Sequence, residues 1–181
     1  MKKIITAALF AFAIFNFYAL SKIRETRAAQ GQVSYSLGDN PAGEIINMLQ
    51  TAHKFAYFAV YTITRQDIVD ALIAAKLRGV DVRGISDLGQ DQSIPSEKYS
   101  IKKLSKYGIP IELPQKQKGI MHIKMLVTEN SYASGSFNWT YSAGEYNDDI
   151  LETGNSPALR DDYIKIFKSM YSKYKPFLFS K

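Results

Sequence analysis

His122 and Lys124 stand two residues apart in the run Met121-His122-Ile123-Lys124-Met125-Leu126-Val127-Thr128. On an extended chain that spacing sends both side chains from one face of a sheet. An imidazole beside an ammonium is a chemical unit. Neutral imidazole is a nucleophile near neutral pH, and the neighbouring cation lowers its pKa and draws in an anion, phosphate above all. Downstream, Gly135-Ser136-Phe137-Asn138-Trp139-Thr140 supplies a glycine that allows close backbone approach, with hydroxyl and amide donors at Ser136 and Asn138 suited to phosphoryl oxygens. No cysteine and two histidines leave no standard zinc cage, so the chemistry indicated is a metal-free phosphate clamp around a nucleophile. On its own, a histidine in an apolar strand is a core residue; Lys124, Ser136, Asn138 and Asp149 around it weigh against that.

The elements that must hold these residues are legible as alternating strands and helices. Val33 to Leu37 reads as a strand, and Asp39-Asn40-Pro41 caps a helix through Ala52 that buries Ile45, Ile46 and Leu49. Phe55 to Tyr61 is a second strand. Thr64-Arg65-Gln66-Asp67 has capping-box spacing and opens a helix carrying Ile68, Leu72 and Ala75 as far as Gly79. A strand over Val80 to Ile85, a polar loop with Asp87 and Asp91, a helix over Ser96 to Tyr107 and a strand over Ile109 to Leu113 follow. The strand of His122 comes next, with Ile123, Met125 and Val127 on one face and Leu126 continuing the other past Lys124. Ile150 and Leu151 mark a last strand, and Ser156-Pro157 opens a helix with Leu159, Tyr163, Ile166, Phe167 and Met170 as its packing positions. Lys116 and Lys118, in the loop before His122, are candidates to touch a phosphate substrate. His53 reads as a helix-end residue, and Trp139 as packing rather than base stacking. The pattern predicts an α/β fold with a mixed sheet covered by helices on both faces.

The whole chain has 181 residues, enough for one α/β domain with a sizeable core. Its hydrophobic and charged fractions, 46% and 22%, exclude extended disorder, and a net charge of +6 suits a polyanionic partner, nucleic acid or an acidic lipid surface. Met1-Lys2-Lys3 followed by Ile4 to Leu20 has the form of an export signal, with small residues at Ala19 and Ser21 for cleavage after Ser21. The apolar run 4–20 falls just short of a comfortable membrane span, so an uncleaved inner-membrane anchor is the alternative. Residues 1–21 are therefore expected to be a signal or anchor, 22–32 a linker and 33–181 the catalytic domain, periplasmic or secreted. A lack of cysteine fits export without disulfides.

His122-x-Lys124, four residues, Glu129, then Gly135-Ser136-x-Asn138 resembles the HxKx4D…GSxN signature of the phospholipase D superfamily. Together with Asn147-Asp148-Asp149 it is most similar to the small bacterial endonucleases that carry one copy of the signature per chain, over about Val33 to Tyr174. The resemblance implies His122 as attacking nucleophile and Lys124, Ser136 and Asn138 as phosphate ligands. Asp149 falls where those enzymes orient the histidine with a Glu, and Glu129 replaces the motif Asp in a structural role. It implies no metal and no cofactor. The expected activity is a metal-independent phosphodiesterase, a nonspecific endonuclease on DNA or RNA that passes through a phosphohistidine. One alternative is a phospholipase or cardiolipin-type hydrolase with membrane contact through the N-terminus. Another is an inactive nucleic-acid- or membrane-binding module. A single His-x-Lys per chain also implies a homodimer with a shared active site.

Overall fold

The structure, a computed structural model, describes residues 12–18, 30–115 and 119–177. The chain divides into two units, Met1–Gln30 and Gly31–Lys181. In the first, residues 12–18 form a helix, α1, and among the described residues no helix is long and apolar enough to cross a membrane. The proposed cleavage point after Ser21, most of the 22–32 linker, and Lys116 and Lys118 lie outside the described residues.

The second unit opens with β1 (Gly31–Tyr35), α2 (Pro41–Thr51), β2 (Phe55–Val60), α3 (Gln66–Leu77) and β3 (Asp81–Ser86). It continues through α4 (Leu88–Ser93), α5 (Pro95–Lys106), β4 (Ile111–Leu113), β5 (Lys124–Thr128) and β6 (Tyr132–Gly135). It closes with α6 (Tyr141–Glu145), β7 (Ile150–Gly154), α7 (Pro157–Tyr171) and β8 (Lys175–Pro176). The strands form one sheet in the order β1-β7-β6-β5-β2-β3-β4-β8; β2, β3 and β4 run parallel and every other pairing is antiparallel.

Alternation along the central strands divides the core in two. Phe58 and Val60 of β2, Leu126 of β5 and Ala133 of β6 point to one face, where Ile45 and Leu49 of α2, Ile68 and Leu72 of α3, and Ile101 and Leu104 of α5 cover them. Ala59, Met125, Val127 and Tyr132 point to the other and meet Phe167, Tyr163, Ile164 and Met170 of α7. The mixed sheet covered on both faces is therefore observed. The helix ends follow local chemistry: Asn40 accepts from the Gly43 amide at 3.0 Å with Pro41 in the first turn, and Gly79 and Gly108 take positive φ after α3 and α5.

Several details differ from expectation. β1 starts at Gly31 because Gly31 and Gln32 already pair with Gly154 and Thr153 of β7. The capping box does not form: Trp139 O accepts from the Thr64 and Arg65 amides at 3.0 Å, and Asp67 is held by Arg65 instead. The polar loop after β3 is the short helix α4, capped by Asp87. Leu159 and Ile166 are exposed because they fall off the stripe through Tyr163, Phe167 and Met170; Ile164 packs in their place.

Candidate active site

The strand pairings bring five chain segments to one end of the sheet. Val60, the last residue of β2, pairs with Lys124, the first of β5; Gly135, the last of β6, pairs with Leu151; and Tyr35, the last of β1, pairs with Ile150. Residues just beyond these ends are thereby gathered: Ser36, Tyr61, His122, Ser136 and Asp149. Asp87, just after β3, reaches the same end, its Oδ2 accepting from the Met121 amide at 2.9 Å while Oδ1 accepts from Gly89 and Gln90 at the start of α4.

His122 does not lie within the strand. The ladder between β2 and β5 ends at Lys124, and a single further bond, Tyr61 N to Ile123 O at 2.9 Å, leaves His122 past the last rung with an exposed side chain. Lys124 is only 4% exposed; its Nζ donates to His122 O at 2.8 Å and sits 5.2 Å from the centre of the Tyr61 ring. That ring also lies 4.7 Å from the His122 imidazole, tilted by 59°. Tyr61 thus faces both members of the pair. Its hydroxyl accepts from Gln90 Nε2 at 2.8 Å, and Gln90 Oε1 accepts from Thr62 at 2.9 Å. Burial depresses the Lys124 pKa, and the Asp149 carboxylate opposes the shift, which places Asp149 in the field of that ammonium.

Asp149 is buried and its backbone is clamped at both ends by Ser36, N to Ser36 Oγ at 2.9 Å and O from Ser36 N at 3.0 Å. Ser136 Oγ accepts from the Ile150 amide at 3.1 Å, which leaves its O–H to donate elsewhere. Asn138 Oδ1 is buried without a hydrogen-bond partner among the described residues. Gly135 serves strand approach rather than ligand approach, since a Cβ there would meet Ile150 O at 2.2 Å. Trp139 and Phe137 are core residues, 1% and 0% exposed, which rules out base stacking by Trp139.

Two sequence candidates lie elsewhere. Glu129 follows β5 at the opposite end of the sheet, where it accepts from the His53 and Lys54 amides at 2.7 and 3.2 Å. Burial pushes its carboxyl up, but the bonds from His53, Phe55 and Lys54 outweigh this and hold it below the usual range. His53 is at that far end too, separated from Tyr61 by the length of β2, about 17 Å.

Glu97 is a buried carboxyl that the sequence did not single out. It is fully buried in α5, accepts from Ile63 N at 2.5 Å and from Ser86 Oγ at 2.7 Å, and burial pushes it up to about 8 against those two bonds. Ile63 in turn bridges Trp139, so Glu97 pins the loop that carries Tyr61 to the Gly135–Thr140 turn. Between the ordinary 4.5 and about 8 the folded chain keeps a proton that the unfolded chain has lost, so stability falls as pH rises through that window. Glu97→Gln keeps an acceptor for Ile63 and cannot ionise. Its melting temperature is expected to overtake wild type progressively from about pH 5 to about pH 8, the wild-type slope nearing about 1.4 kcal/mol per unit. Parallel pH curves for the two proteins would show that the carboxyl does not titrate in this window.

A family model described as cardiolipin synthase, PLD-like domain, matches residues 45–171. A mitochondrial cardiolipin hydrolase from Chlamydomonas reinhardtii is 26% identical over 141 residues, 78% of this chain and 62% of that protein. This chain thus spans a little under two thirds of the algal protein. A phospholipase D from Rickettsia prowazekii is 26% identical over 154 residues, 83% of this chain and 70% of that protein. The crystal structure of Nuc, a phospholipase D family member from Salmonella typhimurium, superposes with a TM-score of 0.76 at 24% identity, covering 82% of this chain and 98% of that one.

Proposed function

The chain belongs to the phospholipase D superfamily, with one motif in its sequence, and we propose that it is a metal-independent phosphodiesterase that cleaves nucleic acid as a nonspecific endonuclease. The observation that carries the reading is the pairing of an exposed His122 with a buried Lys124 beside Asp149, at the sheet end where Ser136 also stands. Lys124, Ser136 and Asn138 hold the phosphoryl oxygens. His122 attacks phosphorus in line, the N–P bond forms as the P–O bond breaks, and the leaving oxygen takes a proton from a second imidazole. Water then attacks the phosphohistidine, giving its proton to that second base as the N–P bond breaks. Asp149 orients and Lys124 supplies the positive charge, so no cofactor or metal is required.

A second imidazole has to come from a second copy, because His53 is at the far end of the sheet. The surface next to the site fits such a homodimer. Val33, Tyr35 and Ile150, 63%, 42% and 48% exposed, lie on the β1–β7 flank, and Tyr35 donates to Asp148 next to the orienting Asp149.

The names of the algal and rickettsial relatives favour a second reading with the same chemistry, hydrolysis of cardiolipin or another phospholipid. Sequence supports an exported location, periplasmic or secreted, with the anchored form as the variant that suits a lipid substrate. Single- and double-stranded DNA, RNA and cardiolipin vesicles incubated with the protein in excess EDTA decide between them. Cleavage of nucleic acid in chelator is expected. Turnover of cardiolipin alone would replace the endonuclease reading by the lipid one, and loss of all turnover until a divalent ion is added would remove the metal-free mechanism.

A further inference from the structure

A cavity of about 390 Å³ lies between α4, α5 and β8, and three lysines line it: Lys98, Lys102 and Lys175. A second cavity of about 240 Å³ adjoins it, with Leu88 and Gln92 lining both, and extends to Gly119 and Ile120, two residues before His122. Asp87, in the wall of this second cavity, is the residue that anchors the Met121 amide. The two cavities therefore form one cleft running from a basic end toward the residues that precede His122.

The charge at the basic end is only partly balanced. Lys98 and Lys102 are one turn apart on α5, about 6 Å along its axis, an arrangement of like charges that weakens a helix. Lys175 adds a third cation from the strand opposite. The four ion pairs among the described residues, Arg65–Asp67, Arg83–Asp81, Lys103–Asp70 and Lys165–Asp162, use none of the three. The one carboxylate in the lining of this cavity, Asp91, is 6% exposed and lies in the field of Lys98 and Lys102, and its Oδ1 has no hydrogen-bond partner among the described residues. A site that gathers three cations around one buried acid is suited to an anion, and a cleft is suited to an extended one.

We propose that this cleft is a second binding track for the sugar–phosphate backbone of a nucleic-acid strand, holding phosphates several nucleotides away from the one at His122. The proposal rests on the endonuclease reading and specifies which surface carries the strand. Contacts of this kind position a polymer without reading its sequence, in keeping with a nonspecific enzyme. They add nothing for a diester too short to reach from His122 to α5.

The test compares wild type with Lys98→Gln/Lys102→Gln/Lys175→Gln on three substrates: bis(p-nitrophenyl) phosphate, a trinucleotide, and a single strand of about 20 nucleotides across a salt series. Expected for the variant are a KM for the long strand raised about tenfold, a log KM against log salt slope shallower by about 2, and unchanged turnover of the two short diesters. An unchanged slope on the long strand overturns the track, as does equal loss on all three substrates. Binding of the same pair to cardiolipin-containing vesicles is the remaining arm. A variant that loses vesicles but keeps the long strand makes this face a lipid surface and also overturns the track. Should wild type hydrolyse the small diester yet leave the long strand intact, the endonuclease reading fails, and the salt slope of long-strand binding by anisotropy still decides the track. If the triple variant melts early, Lys102→Gln alone is expected to change the slope by about 0.7.

Discussion

His122→Ala is expected to abolish turnover, by about 10⁴-fold or more in kcat, while His53→Ala stays within about twofold of wild type. The contrast follows from placement. His122 projects past the final rung of β5 with an exposed ring against Tyr61, whereas His53 contributes its backbone amide to Glu129 at the other end of the sheet. The loss should fall on kcat, because the nucleophile forms a bond that exists only after substrate has bound. The same variant probes assembly. Wild-type and His122→Ala chains unfolded together and refolded at equal amounts should show about a quarter of the wild-type activity, against about a half for independent subunits, since only dimers with two intact imidazoles have both a nucleophile and an acid. A folded His53→Ala protein without activity would make His53 the acid within one chain, and residual His122→Ala activity above about a tenth would displace His122 from its role.

How much of this was legible in the sequence depends on the distance along the chain over which each contact acts. His122 and Lys124, and Gly135 through Asn138, are close in sequence, and their residue types were sufficient to mark a candidate site. Alternation from Ile123 to Val127 correctly divided the two faces of β5. What a local pattern does not carry is the cross-sheet partner. Tyr61 reaches the site only because β2 pairs antiparallel with β5, and Gln90 reaches Tyr61 only because α4 folds back from β3. Tyr61 was legible as a strand-end aromatic and nothing more. Ser36 clamps Asp149 across 113 residues, with no local signal at either position. His122 was expected inside the strand because strand propensity continues to Met121, but Thr62, which the β2–β5 register would set opposite it, gives its carbonyl to the Trp139 amide at 3.0 Å instead. Thr64 and Asp67 carried the spacing of a capping box, and the carbonyl of Trp139 took the amides that a cap would have used. In both cases tertiary hydrogen bonding overrode a correct local preference.

Lys124→Met separates catalysis from folding at this site. The ammonium is nearly sealed from solvent, held by His122 O at 2.8 Å and the Tyr61 ring at 5.2 Å, and burial lowers its pKa even with Asp149 opposing. Keeping a cation there is a cost to the fold, and the proposed mechanism gives that cation its use, as charge presented to a phosphoryl group. Replacing it with an unbranched apolar chain removes the desolvated charge, so the melting temperature should hold or rise while kcat falls by about 10²- to 10³-fold, the usual loss for one oxyanion ligand. Lys124→Arg should not restore activity, since a planar guanidinium does not fit a pocket closed around an ammonium. The pH dependence has a definite sign. With the folded pKa below the ordinary 10.5, the unfolded chain binds the proton more tightly between those two values, so stability rises with pH across that window as the strain of the buried charge is relieved. Activity runs the other way, falling as the ammonium is lost, at a pH below that of an exposed lysine. The residual activity of Lys124→Met should lack this alkaline limb. A limb that persists unchanged in the variant belongs to another group, and a melting temperature that collapses with the substitution would make Lys124 a structural residue of the β2–β5 ladder rather than a ligand for phosphate.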